Sequence, residues 1–324
     1  MKAIRVHRHG GPEVLTMEDV AIGPPGPGEV RVRHRAIGLN FVDTYFRSGA
    51  YAPPALPFIP GNEAAGEIVE VGAGVAGFAP GDRVAYVETL GAYAEERNVP
   101  AHYVVRLPDA LGFETAAAMM LKGLTAQYLL RRTFRVGPGH TVLIHAAAGG
   151  VGLIATQWAR HLGATVIGTV GSAEKAKLVA ACGAHHVIDY TREDFAARAR
   201  AITGGRGVDV VYDGVGRATF AGSLDALRPL GLFVAYGAAS GPVEPFDLAL
   251  LMRKGSLHAT SQLLFTHLER REDVVAMSEE LFAAVASGAV EIPIHARLPL
   301  TRAAEAHRRL EARETTGATV LLPA

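Results

Sequence analysis

Three small residues in one short stretch have the spacing to bind a phosphate. They lie in His145-Ala146-Ala147-Ala148-Gly149-Gly150-Val151-Gly152, where Ala147-x-Gly149-x-x-Gly152 reproduces G-x-G-x-x-G/A with alanine in the first place. The apolar run Thr141-Val142-Leu143-Ile144 precedes it, and Leu153-Ile154-Ala155-Thr156-Gln157-Trp158-Ala159-Arg160 follows. That order reads as strand, tight turn and helix, which brings backbone N–H groups and a helix N-terminus to a pyrophosphate. Gly149 lets the phosphates approach the backbone, and Gly152 lets the helix pack close to the strand. Gly150 and Val151 complete the turn. The competing reading is a glycine-rich turn that only packs a helix on a sheet.

The next strand, Thr165–Val170, speaks against that reading and bears on the cofactor. A dinucleotide with a free ribose 2′-hydroxyl usually meets Asp or Glu about 20 residues on, at the end of this strand. Here 171 − 152 = 19, and position 171 is glycine, followed by Ser172-Ala173-Glu174-Lys175. The acid that would repel a 2′-phosphate is missing, and a hydroxyl and a cation stand nearby. This favours NADPH over NADH. Lys175 also reads as an ordinary solvent-facing lysine in the first turn of a helix over Ala173–Cys182.

Composition narrows the remaining chemistry. With 32 basic and 32 acidic residues among 324, no net field draws the chain to nucleic acid or a membrane surface. No apolar stretch approaches the ~18 residues of a membrane span. The opening Met1-Lys2-Ala3-Ile4-Arg5-Val6-His7 reads as a strand rather than a signal peptide. One cysteine, Cys182, rules out an intrachain disulfide. A cytoplasmic protein is expected. The 13 histidines show no ligand spacing with Cys or carboxylates, so no metal is expected.

These residues need a frame. Residues 119–261 alternate helix and strand, with strands at Thr141–Ile144, Thr165–Val170, Val187–Asp189, Val208–Asp213, Leu232–Tyr236 and Ser256–Thr260. Helical patterns cover Arg192–Ile202, Thr219–Leu227 and Phe246–Arg253. Six strands so connected make a doubly wound parallel sheet, with its ligand at the strands' carboxyl ends. Residues 1–118 read as short strands and Gly/Pro turns, including the alternating Val30–Ile37 and a Pro-rich loop over 53–60, which suggests a barrel-like β domain. Arg31, Arg33 and Arg35 share one solvated face of that strand. Residues 262–324 hold helices at Glu272–Ala286 and Arg302–Arg313 and a strand at Ala318–Leu322, and should pack back on the first domain. The fold class is α/β.

Gly61-Asn62-Glu63-Ala64-Ala65-Gly66, Gly81-Asp82-Arg83-Val84 and Ala146–Gly152 together resemble the medium-chain dehydrogenase/reductase superfamily. Over the whole chain the resemblance is to its zinc-free NADPH:quinone oxidoreductase branch, the zeta-crystallin-like proteins. Particularly similar are Arg35–Tyr45, Leu121-Lys122-Gly123-Leu124-Thr125 and Val211–Gly216. The resemblance implies a GroES-like domain from residues 1–118 and 262–324 around a Rossmann cofactor domain, 119–261, and a homodimer built mainly through the cofactor domains. It implies that Gly171, Ser172, Lys175, Tyr190 and Arg313 surround the 2′-phosphate. Asn40, Tyr45 and Thr125 would lie near the nicotinamide, Gly237-Ala238 near the cofactor's middle, and Tyr51 beside the substrate. Without the family, Tyr45 and Tyr51 read equally as packing aromatics and Arg313 as a cation at a helix C-terminus.

Zinc-dependent members of the superfamily carry Cys where this chain has Asn40 and His where it has Asn62, and neither asparagine is a good zinc ligand. Lacking a metal to stabilise an alkoxide, the chain suits acceptors that are already electrophilic. The expected reaction is NADPH-dependent reduction of quinones, with Tyr45 or water as proton source. Alternatives are an enone or enoyl-thioester reductase and, in another class, a non-catalytic NADPH- or RNA-binding protein.

Overall fold

The computed structural model describes residues 1–53 and 55–323, so Pro54 of the expected Pro-rich loop lies outside the described residues. The chain divides into two compact units, Met1–Leu124 with Leu268–Ala286 and Ile292–Ala324, and Thr125–His267 with Ser287–Glu291.

The first unit opens with an antiparallel hairpin, β1 (Lys2–Val6) and β2 (Leu15–Asp19). Strand β3 (Glu29–Gly38) then pairs antiparallel with β4 (Glu63–Val71), which pairs with β5 (Arg83–Val87). β6 (Glu96–Pro100) lies on β3, and β7 (Val104–Arg106) on β5. The alternation read in β3 is real. Val30, Val32, His34 and Ala36 are buried, while Arg31, Arg33 and Arg35 turn outward to Glu70, Glu96 and Glu67. Such solvated ion pairs contribute little to stability.

Two helices here escape the sequence reading. α1 (Phe41–Ser48) starts at Asn40, whose backbone N–H donates to the Asp43 carboxylate at 2.8 Å, and ends at Gly49 with φ 85°. Its fully buried residues are Asp43, Thr44 and Arg47, while its apolar stripe, Phe41, Val42, Tyr45 and Phe46, is only partly buried, so the stripe does not mark the most buried face. α2 (Phe113–Gln127) is hidden for the opposite reason. Ala116–Met120, Leu124 and Ala126 are all buried, so apolar residues surround it and no period stands out. A π-helical stretch, Tyr128–Thr133, continues it.

The second unit is built on six parallel strands, β8 (Thr141–Ile144), β9 (Thr165–Val170), β10 (His186–Asp189), β11 (Val208–Asp213), β12 (Leu227–Ala235) and β13 (His258–Ser261). Their spatial order is β10-β9-β8-β11-β12-β13. The chain therefore winds outward from β8 in one direction, then returns to wind the other way. Helices α3 (Gly150–His161), α4 (Ala173–Ala181), α5 (Phe195–Ile202), α6 (Phe220–Ala226) and α7 (Ala249–Arg253) connect the strands. α5 starts later than the sequence suggests because Asp194 caps it, accepting from Ala196 and Ala197 N–H, while Asp189 holds Thr191 in a turn. α7 keeps only the last part of the expected Phe246–Arg253.

The chain then returns to the first unit through α8 (Arg271–Ala286), β14 (Ile294–Pro299), α9 (Ala303–Glu311) and β15 (Ala318–Leu322). β15 pairs with both β14 and β3, so the chain's end joins the sheet of its beginning. β14 was not legible from the sequence.

Candidate active site

The glycine turn sits at the carboxyl end of β8. Ala146 adopts φ 49°, and Gly149 is the N-cap of α3 with extended backbone. A Cβ on Gly152 would lie 2.5 Å from Ala146 O and 2.7 Å from Ala147 Cα, so the first turn of α3 rests directly on backbone. Gly150, Val151 and Gly152 form that first turn, whose N–H groups have no partner within the helix.

A buried polar cluster holds the turn from beneath. His145 Nδ1 meets Thr169 Oγ1 at 2.8 Å and its Nε2 meets Ser223 Oγ at 2.9 Å. Ser223 donates to Asp213 at 3.1 Å, so it accepts from His145 Nε2–H, and Nδ1 accepts from Thr169. Asp213 also accepts the backbone N–H groups of Val215 and Gly216 at 2.7 and 2.9 Å. This cluster ties together the ends of β8, β9 and β11. Burial holds the His145 pKa down at about 4, so the ring is neutral at pH 7.

Six other expected cofactor residues of this unit, Gly171, Ser172, Lys175, Tyr190, Gly237 and Ala238, fall on the same edge of the sheet. Gly171 follows β9, and Ser172 caps α4 by accepting from Lys175 N–H at 3.3 Å. Lys175 is half-buried in the first turn of α4. Tyr190 follows β10, and its ring lies over Gly171, where a Cβ would come within 2.5 Å of the phenol oxygen. Gly237 and Ala238 follow β12, and a Cβ on Gly237 would lie 2.8 Å from Gly214 O. Thr125 is buried near the end of α2.

The remaining candidates belong to the first unit. Asn40 and Tyr45 are on α1, and the Tyr45 ring packs against Phe41 at 5.5 Å and Tyr51 at 5.1 Å. Tyr51 is exposed. Arg313 follows α9 with φ 59°, its N–H closing the helix on Leu310 O.

Around Asn40 the structure shows a polar network that the sequence did not. Asn40 Nδ2 donates to Glu63 at 2.7 Å, and Lys122 Nζ donates to the same oxygen at 2.6 Å. Asp43 accepts from Asn62 Nδ2 at 2.5 Å and from the Tyr93 hydroxyl at 2.9 Å. Tyr93 in turn meets His307 Nε2 at 3.0 Å, and Arg47 donates to His307 Nδ1 at 3.1 Å and to both oxygens of Glu311. Burial raises the Asp43 pKa to about 6 against these donors. Burial, with the Arg47 charge beside it, lowers that of His307 to about 3. Glu63 and Lys122 were visible only as members of matching motifs. Nothing in their sequence positions said that they meet.

A doubly wound sheet with a glycine cradle at its carboxyl edge, carried in one chain with an antiparallel β unit, defines a dinucleotide-dependent oxidoreductase. The comparisons agree. Residues 26–109 match the family model "Alcohol dehydrogenase GroES-like domain", and residues 150–280 match "Zinc-binding dehydrogenase". The chain is 51% identical over 323 residues to a quinone oxidoreductase of Pseudomonas aeruginosa, covering 99% of each. It is 47% identical to a 2-haloacrylate reductase of a Burkholderia species, covering 98% of each. The crystal structure of an Escherichia coli quinone oxidoreductase complexed with NADPH matches with a TM-score of 0.98 at 47% identity, covering 100% of each chain. The chain belongs to the quinone oxidoreductase family of the medium-chain dehydrogenase/reductase superfamily.

The zinc in one family model's name does not fit the residues here. Asn40 and Asn62 both turn N–H groups toward carboxylates, and Glu63 is already paired with an ammonium. A divalent cation would face the Lys122 charge and two amide N–H groups, and the neighbouring carboxylates, Asp43 and Glu63, are already engaged by other donors. Among the described residues no group of three or more His, Cys, Asp or Glu could hold a metal. No described helix is long and apolar enough to cross a membrane.

Proposed function

We propose that the protein reduces quinones with NADPH. The observation that carries this reading is the glycine, in place of an acid, at position 171 after β9, although Glu174 in the first turn of α4 is exposed and interacts with Ser172. Gly171, Ser172 and Lys175 stand there, with Tyr190 over the glycine, on the edge that also holds the Gly149–Gly152 cradle. The names of the relatives support the same cofactor and acceptor class. NADPH supplies the hydride. We assign Gly149, Gly150, Val151 and Gly152 to its pyrophosphate, Gly171, Ser172, Lys175, Tyr190 and Arg313 to the 2′-phosphate, and Gly237 and Ala238 to its middle. Asn40, Tyr45 and Thr125 serve the reacting end and Tyr51 the acceptor, with the Tyr45 hydroxyl or water giving the proton. A conjugated acceptor delocalises its own developing charge, so the residues need only orient it and exclude water. We take 119–261 as the cofactor domain, 1–118 with 262–324 as the substrate domain, and the cytoplasm as the site of action.

The kcat/KM values for a series of 1,4-quinones and 2-alkenals, measured with NADPH, test this. Quinones should lead. A lead for alkenals would favour the enone reductase reading, which the similarity to a 2-haloacrylate reductase supports. Absence of turnover with either would leave only a binding role. Lys175→Ala should weaken NADPH about tenfold, the size of one lost charge-assisted contact, and leave NADH unchanged. Equal weakening of both would remove Lys175 from the phosphate site.

We also propose a homodimer through the second unit. β13 is an edge strand, and Leu230, Leu248, Met252 and Leu263 on neighbouring segments are exposed. Unpaired strand edges and exposed apolar side chains favour association. Light scattering should give twice the chain mass for the wild type, and the Leu248→Glu/Met252→Glu double variant should run as a monomer. A variant still fully dimeric would move the interface elsewhere.

A further inference from the structure

Glu63 opens β4 with no solvent exposure, and both its oxygens are engaged. Oε2 accepts the Leu121 backbone N–H at 2.6 Å. Oε1 accepts Lys122 Nζ at 2.6 Å and Asn40 Nδ2 at 2.7 Å. Residue 38 must be glycine for this to happen, since a Cβ there would lie 2.2 Å from Glu63 Oε1. Lys122 and Asn40 are themselves 6% and 4% exposed. A buried ion pair is a poor source of stability, because removing two charges from water offsets their attraction. Its presence asks for another role.

The chemistry of the pair supplies one. An ionised carboxylate only accepts hydrogen bonds, so the Asn40 amide must turn its nitrogen, not its oxygen, to Glu63. Lys122 Nζ donates to the same oxygen and helps fix its place. Remove the ammonium and Oε1 loses one of its two side-chain donors, so it is no longer held opposite the Asn40 amide. α1, β4 and α2 thus meet at one carboxylate, whose Oε1 holds the nitrogen side of the Asn40 amide, while the capping box of α1 engages the same side chain.

We propose that Lys122 and Glu63 are positioning residues that hold the Asn40 amide in one orientation toward the reacting ligands. This rests on the placement of Asn40 at the reacting end given above. Neither Lys122 nor Glu63 needs to touch cofactor or acceptor. The pair acts through Asn40.

A double-mutant cycle tests it. Asn40→Ala and Lys122→Met should each lower kcat/KM for a 1,4-quinone by about 30-fold, the scale of a misplaced positioning contact, while the NADPH Kd from fluorescence titration moves less than threefold. The double variant should be no slower than Asn40→Ala alone. Multiplicative losses would overturn the proposal. So would a Lys122→Met protein with a lower melting temperature but an unchanged kcat/KM per folded molecule. Because Lys122→Met strands a buried carboxyl, Glu63→Gln serves as a second entry to the same cycle, with the same expected non-additivity. Lys122→Arg, which restores the charge, should recover kcat/KM to within fivefold of wild type, and failure to recover counts against the pair. An Asn40→Ala protein as active as wild type would instead remove Asn40 from the reacting end, a distinct result because it fails before the second substitution is made.

Discussion

Gly152→Val should lose NADPH affinity by at least 100-fold, about 3 kcal/mol, while the protein remains folded. The atoms that a Cβ at 152 would strike are Ala146 O at 2.5 Å, Ala147 Cα at 2.7 Å and Ala147 C at 2.8 Å. All are backbone, so no rotamer change relieves the overlap. α3 must lift from the turn, and the N–H groups of its first turn leave the place where a phosphate would meet them. The turn itself is pinned by the His145 cluster and cannot follow. Fluorescence titration with NADPH, beside far-ultraviolet circular dichroism, reads the result. Gly137→Ala is the control, since a Cβ there meets nothing within 4 Å. A Gly152→Val Kd within threefold of wild type would show that the cradle does not hold the pyrophosphate.

Acidification from pH 7 to pH 5 should remove a large part of the folding free energy. His34, His145 and His307 are buried and held neutral, with pKa values lowered by burial from 6.5 to about 4, about 4 and about 3. Each has a fixed acceptor role on one nitrogen. Tyr86 donates to His34 Nε2, Thr169 to His145 Nδ1 and Arg47 to His307 Nδ1. Between pH 6.5 and the folded values, the unfolded chain binds these protons and the folded chain does not, so stability falls as pH falls. One pKa unit is worth about 1.4 kcal/mol, so each histidine costs roughly 2 kcal/mol by pH 5. Asp43 works in the opposite sense. Its pKa is raised from 3.8 to about 6, so its protonation between those values favours the folded chain by about 1 kcal/mol at pH 5. The histidines outnumber it. Urea unfolding at pH 7, 6 and 5 should show stability falling by several kcal/mol, comparable with a typical total. His34→Gln should flatten the profile. Stability that is level or rising toward pH 5 would mean that these histidines are not held neutral in the fold.

The second expectation depends on contacts between residues far apart in sequence, and this is where reading the chain from end to end runs out. The second unit was legible almost strand by strand. A strand buried on both faces must be a continuous apolar run, and the turns between such strands and helices must carry glycine where backbone packs on backbone. Gly152 and the acid-free position 171 therefore announced themselves through local rules. The first unit was legible where one face met water, as in β3, whose arginines and valines alternate.

Local rules failed where polar residues took core positions. α1 was missed because Asp43, Thr44 and Arg47 occupy its most buried face, and the partners of Asp43 and Arg47 come from α9 and from the loops that carry Gly10, Asn62 and Tyr93. Glu63 and Lys122 stand 59 residues apart, and Arg47 and His307 stand 260 apart. Periodicity cannot pair residues over such separations. The sequence alone therefore determined the two-unit plan, the cradle and the missing acid at 171. The tertiary structure decided which charges are buried together, because only the assembled sheet, with β15 laid against β3, brings those side chains to one place.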